Sequence, residues 1–212
     1  MITIHHLGVS QSDRIVWLME ELGLPYELKW YDRGEDMLAP AAYRALHPLG
    51  TAPVIHDGDR VLAESTAIVE YISHVHGGGR LSVKPDQPNY ADYLYWLHFN
   101  NNAQSAFFVR KALEVAGASA DSPFAVTAQR RETALYRHLE ARLGEVDHLA
   151  GPEFTCADIM AMFNLTALPL FGGRGIDDLP HVQAYVARVS ARPAYRKAMA
   201  IAGPQAKRPA AG

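Results

Sequence analysis

The chain has 212 residues, 49% of them hydrophobic and 20% charged, a globular composition with length for one large domain or two small ones. A formal net charge of -3 and the lack of any Lys/Arg cluster speak against nucleic acid as a main partner, and no apolar run reaches the ~18 residues a membrane span needs. Cys156 is the only cysteine, so no internal disulfide can form and a reducing cytoplasm is the expected location; Met1 to His5 also lacks the basic and apolar regions of a signal peptide.

Residues 2–7 read as a first strand. His5 and His6 are neighbours on it, and neighbouring strand residues point to opposite faces, so the pair is a poor chelate; no metal is expected, and one of the two rings should be solvated. Gly8 to Asp13 is a loop running into a helix. Ile15, Leu18, Met19 and Leu22 keep the i, i+3, i+4, i+7 spacing of a core-facing stripe, and Gly23 and Pro25 end it. Tyr26 to Trp30 reads as a second strand, giving a parallel crossover unit. Tyr31 to Asp36 is polar, and Pro40 to Leu46 suits a short helix opened by proline. Two serines lie in the first loop. Ser10 with Asp13 fits a capping box, and Ser12 fits a plain N-cap. A hydroxyl here could instead donate to a thiolate and lower its pKa, with the helix start adding to the effect.

Thr51-Ala52-Pro53-Val54-Ile55 reads as a strand with proline at its edge, Asp57-Gly58 as a hairpin turn, and Arg60 to Ala63 as the returning strand. A helix then opens at Glu64-Ser65, with Ile68, Tyr71, Ile72 and Val75 at helical spacing. A cis bond before Pro53 would turn the N–H and C=O of Ala52 toward an extended peptide. N–H groups near Ser65 suit a carboxylate, and Glu64 suits an ammonium. The order β-α-β-α-β-β-α is the thioredoxin-like plan, but no C-x-x-C dithiol is present.

Three glycines and two prolines at 77–88 break the chain, and the pattern beyond is helical. The expected division is a thioredoxin-like domain at 1–76, a linker at 77–88, an all-helical domain at 89–202 and a disordered tail at 203–212. The first long helix runs from Asn89 to about Val115 with Asn100, Asn101 and Asn102 at its middle, where amides are unfavourable and mark a kink, a solvated face or a polar patch. Ala125 to Leu149 reads as the next helix. Phe154-Thr155-Cys156-Ala157-Asp158-Ile159 combines a capping box with a hydrophobic staple; Cys156 at the first helical position reads as structural. Leu179 to Ser190 is helical, and Arg192-Pro193-Ala194-Tyr195 opens a last short helix.

Pro48-Leu49-Gly50-Thr51-Ala52-Pro53-Val54-Ile55 followed by Glu64-Ser65-Thr66-Ala67-Ile68 resembles the glutathione S-transferase family, and the likeness extends from the Ser10 loop to the Thr155 box and Pro193. The resemblance implies glutathione as cosubstrate, its cysteinyl backbone at Ala52 and Pro53 and its γ-glutamyl end at Glu64 and Ser65. It implies Ser10 as the thiolate-holding group, because Ser10 precedes Arg14 by the four residues common in serine-type members; Ser12 is the second choice. Where members carry Lys, Gln or His before the proline dipeptide, this chain has Gly50-Thr51, so the glycyl contact stays open among Arg33, Arg44 and His47. The implied reaction is attack of the thiolate on a small apolar electrophile by a cytoplasmic homodimer, with Asn100, Asn102, Phe107 and Phe108 as candidates for the electrophile side. Reduction of disulfides or peroxides, and a non-catalytic binding or regulatory role, are the alternatives.

Overall fold

The computed structural model describes residues 1–209. Two compact units are resolved: one comprises Met1–Ser82 and the segment that begins at Val189, the other Val83–Arg188.

The first unit is built on a four-stranded mixed sheet in the order β2-β1-β3-β4. Strand β1 (Ile2–Leu7) pairs in parallel with β2 (Tyr26–Tyr31) and antiparallel with β3 (Val54–Asp57), which turns into β4 (Arg60–Ala63). The parallel pair needs a crossover, and α1 (Asp13–Leu22) provides it. Gly23, at φ 63°, ends that helix in the left-handed conformation, with its N–H on Glu20 O. Helix α2 is a single turn, Ala41–Arg44, which contributes the buried Tyr43 to a core with Leu7, Val54 and Ala63. Helix α3 spans Ser65–Tyr71 and passes into a π-helical turn at Ile72–His76. The architecture is thioredoxin-like.

The other unit is helical. Helix α4 (Tyr90–Val115) runs unbroken through the three asparagines. Helix α5 (Pro123–Leu143) is capped by Ser122, whose side chain accepts from Ala125 N–H; it ends six residues earlier than its apolar pattern predicts, where Arg142 Nε bonds Leu149 O and His148 pairs with Gly151. Helix α6 (Cys156–Thr166) is followed by a 3-10 turn at Leu168–Phe171 and by α7 (Pro180–Ser190).

Helix α8 (Pro193–Ala202), expected in the helical domain, belongs instead to the first unit and lies on α1. The reason is the outward edge of α1. Glu21 accepts from Arg192 Nε and its second guanidinium nitrogen at 2.7 and 2.8 Å, Glu20 pairs with Lys197 at 2.7 Å, and Trp17 meets Tyr195 edge-on at 4.8 Å. The tail likewise starts as structure: Ala206 N–H bonds Gly203 O, and Arg208 reaches Asp32 at 3.0 Å. Positions 210–212 of that expected tail lie outside the described residues.

Candidate active site

Alternation along β1 sends Ile2, Ile4 and His6 to one face and Thr3, His5 and Leu7 to the other. Both histidines are buried, at 4% and 0% exposure, so neither is the solvated ring that the pattern suggested. His5 bonds His56 at 2.6 Å and Tyr31 Oη at 3.0 Å. Among the described residues, no three His, Cys, Asp or Glu side chains cluster as metal ligands. His6 lies against Trp30, with ring centroids 4.3 Å apart, and meets Ser12 Oγ through Nδ1 at 2.8 Å.

That contact changes the reading of the loop. Ser12 is the residue before α1, but its side chain caps no helix N–H. Its hydroxyl is spent between His6 Nδ1 and Ser10 Oγ, the latter at 2.7 Å, with Leu7 O farther off at 3.5 Å. Ser10 donates to Leu7 O at 2.7 Å and also receives Ser12 N–H at 3.3 Å. The Ser10–Asp13 capping box is absent as well; only the backbone bond from Asp13 N–H to Ser10 O forms. Ser12 is fully buried, whereas Ser10 is 7% exposed.

Arg33, one of three open choices for a glycyl carboxylate, is committed elsewhere. Its guanidinium donates to Gly8 O at 2.9 Å, Val9 O at 3.0 Å and Met37 O at 2.8 Å. It thereby holds the loop at Val9, a non-glycine residue at φ 52°. Sequence reading missed this clamp because a guanidinium satisfied by backbone carbonyls leaves no motif.

The Ala52–Pro53 bond is cis, and the ladder starts one residue later with Val54 facing both His5 and Ala63. Glu64 then turns the chain from β4 into α3 at φ 73° and ψ 113°, a conformation that costs about 1–3 kcal/mol and concentrates at functional sites. Ser65 is buried, and its hydroxyl donates to Gln11 Oε1 at 3.3 Å. Gln11 also accepts from Arg14 at 2.9 Å. So Gln11, which sequence reading overlooked, joins the Ser10 loop to the start of α3 across 54 positions.

Residues 10–75 match the model of the glutathione S-transferase N-terminal domain, and residues 103–193 that of the C-terminal domain. The chain is 32% identical to glutathione S-transferase 3 of Schizosaccharomyces pombe, over 92% of this chain and 86% of that protein. It belongs to the glutathione S-transferase family.

Other members agree with the placement. Glutathione S-transferase 3 of Zea mays is 30% identical over 88% of this chain and 87% of its own. A crystal structure of a glutathione S-transferase from Actinobacillus pleuropneumoniae matches with a TM-score of 0.87 at 33% identity, over 97% of this chain and 95% of that one. A glutathione transferase from Phanerochaete chrysosporium, solved with oxidised glutathione, shares the fold at a TM-score of 0.75 and 20% identity, over 93% and 92% of the two chains.

In this family member the asparagine run is divided by helix geometry. Asn100 is buried and accepts from Asn164 Nδ2 at 2.6 Å inside the helical unit, so it is a bundle contact and no part of an open polar patch. Asn102 is exposed and accepts from Arg131 at 3.4 Å. Phe107 is buried and Phe108 is 56% exposed. The four residues proposed for an electrophile therefore occupy different faces of α4.

The site's buried ionisable groups set a pH dependence of stability. Burial, with a contribution from His56, lowers the His5 pKa to about 4, and burial lowers that of His6 to about 4. An unfolded chain protonates both near 6.5, so acid favours unfolding between about pH 6.5 and 4, and stability falls as pH falls. Burial raises the Asp13 pKa to about 7, against the pull of Arg14. Its folded form stays protonated where the unfolded carboxyl ionises, so its contribution declines as pH rises from about 4 to 7. Asp13→Asn should therefore raise the melting temperature at pH 7 and steepen the acid loss. Melting curves from pH 4.5 to 7.5 check both signs; parallel curves for variant and parent would show that Asp13 ionises normally.

Proposed function

We propose that this chain binds glutathione on its first unit and conjugates the thiolate to a small apolar electrophile. The observation that supports this reading best is the Ser65–Gln11 hydrogen bond, because it draws together two segments that the family resemblance assigns to one cosubstrate. In the proposed arrangement Ala52 and Pro53 take the cysteinyl backbone, Glu64 and Ser65 the γ-glutamyl end, and Ser10 the sulfur. Ser10 suits that role because it keeps solvent exposure while Ser12 has none. A hydroxyl donated to the thiolate stabilises the charged form, and binding both reactants in one geometry supplies proximity. Asn102 and Phe108 remain the exposed candidates for the electrophile side.

Relatives named glutathione S-transferases and a structure solved with oxidised glutathione support the cosubstrate. No helix of the described residues is long and apolar enough to cross a membrane. The proposed setting is the cytoplasm, as a homodimer, the commonest closed assembly. Phe124 and Val126 of α5 and Val109 of α4 are apolar surface of the kind an interface covers.

Turnover assays with an aryl halide and with a glutathione mixed disulfide, run beside light scattering, test the proposal. Conjugation of the halide and about twice the monomer mass of 23.3 kDa are expected. Turnover of the disulfide alone would make the chain a reductase. Binding of neither glutathione nor product would leave a non-catalytic member, and a monomer mass would refute the dimer.

A further inference from the structure

We propose that His6 is a positioning residue that makes the Ser10 hydroxyl a donor-only group toward the glutathione sulfur. The inference rests on the proposed role of Ser10 and adds the reason that Ser10 discriminates thiolate from thiol.

Counting protons fixes the direction of the chain. Leu7 O, 2.7 Å from Ser10 Oγ, can only accept, so it takes the single proton of Ser10. The 2.7 Å bond between Ser10 and Ser12 must then use the Ser12 proton, because the other acceptor within reach of Ser12 Oγ, Leu7 O at 3.5 Å, is too distant to compete with a 2.7 Å partner. Ser12 Oγ has no second proton, so its 2.8 Å bond to His6 requires hydrogen on His6 Nδ1. The order is His6 Nδ1–H to Ser12 Oγ, Ser12 O–H to Ser10 Oγ, and Ser10 O–H to Leu7 O. This tautomer leaves His6 Nε2 as a bare acceptor, and that atom is buried with no hydrogen-bond partner among the described residues. A bare buried acceptor is tolerated better than a bare buried N–H, so the orphaned nitrogen agrees with the assignment.

The consequence falls on Ser10. A hydroxyl oxygen accepts two hydrogen bonds, and Ser10 Oγ already receives Ser12 O–H and Ser12 N–H. It has one proton to give and no lone pair left for an S–H. When sulfur arrives, Ser10 can exchange Leu7 O for a thiolate, whereas a protonated thiol finds no acceptor there. Cooperative polarisation along the chain strengthens that last donor. The charged groups around this stretch are Asp13 and Arg14, which begin α1, and Arg33, whose guanidinium donates to Gly8 O and Val9 O; none enters the chain of bonds.

The test measures the pKa of bound glutathione by thiolate absorbance and by pH–rate profiles. Ser10→Ala should raise it by about one to two units, the range for losing a hydrogen bond to a charged group. His6→Phe keeps a ring against Trp30 but removes the donor, and should raise it by on the order of half a unit. His6→Asn returns an N–H near the Nδ1 position and should restore the parent value although it loses the ring. Ser12→Ala interrupts the same chain, should move the pKa in the same direction, and serves if His6→Phe does not fold. A shift in Ser10→Ala with none in His6→Phe or Ser12→Ala overturns the relay and leaves Ser10 in place. Equal shifts in His6→Phe and His6→Asn overturn it too, because ring packing would then be the cause. No shift in Ser10→Ala removes the proposed role of Ser10 itself.

Discussion

Asp158→Ala should cost about 3–5 kcal/mol of stability, the range for breaking a buried charged network. The carboxylate is fully buried near the start of α6. Oδ2 accepts from Thr155 N–H at 2.8 Å and from Thr155 Oγ1 at 3.3 Å; Oδ1 accepts from Leu149 N–H at 3.0 Å and from Tyr185 Oη at 2.8 Å. One side chain therefore holds the cap of α6, the loop after α5 and the middle of α7. Deleting it strands buried donors on all three, each at about 1–3 kcal/mol if water cannot reach it. Thr155→Ala removes a hydroxyl that accepts from Ala157 N–H and donates to Asp158 Oδ2, both at 3.3 Å, while Asp158 keeps its other three donors; it should cost only about 1 kcal/mol. For a chain of this size the two losses correspond to about 10 °C and about 3 °C in melting temperature. Urea titration separates them; equal midpoints for the two variants would mean that the contacts beyond the capping box contribute nothing.

The capping box was legible because its grammar is local: Thr155, Asp158, Phe154 and Ile159 lie within six positions. Its reach to Leu149 and Tyr185 was not, since those partners are set by how α6 meets its neighbours. The sheet was legible for the same reason as the box. Alternation, a two-residue turn and a proline at a strand edge each act over a few residues, and the order of strands and helices follows from them. The loop failed to yield to that reasoning. Ser12 has the sequence context of a cap, yet a buried imidazole six residues earlier competes for its hydroxyl and takes it. The inward face of His6 was readable from Ile2 and Ile4 at the same parity, but its partner was not. The packing of α8 on α1 was not legible either, because ion pairs from Arg192 to Glu21 and Lys197 to Glu20 span about 170 residues, beyond any local pattern.

Replacing Glu64 and Ser65 by alanine should raise the glutathione KM about a hundredfold, equivalent to roughly 2.7 kcal/mol, with the fold intact. Hydrogen bonds to charged groups contribute about 1.5–3 kcal/mol each, so losing contacts to both the ammonium and the carboxylate of the γ-glutamyl end reaches that size readily. The backbone at Glu64 permits a sharper comparison. Its φ of 73° suits glycine better than any side chain, so Glu64→Gly relieves strain while removing the carboxylate. That single variant should melt higher than Glu64→Ala, and both should lose glutathione affinity to a similar degree. Stability and binding then move apart at one position, as they do when a strained residue is kept for its function. Calorimetric titration with glutathione beside melting curves measures the two together. Unchanged affinity in Glu64→Gly would show that the carboxylate touches no ligand, and the assignment of Glu64 to the cosubstrate's amine would have to be given up.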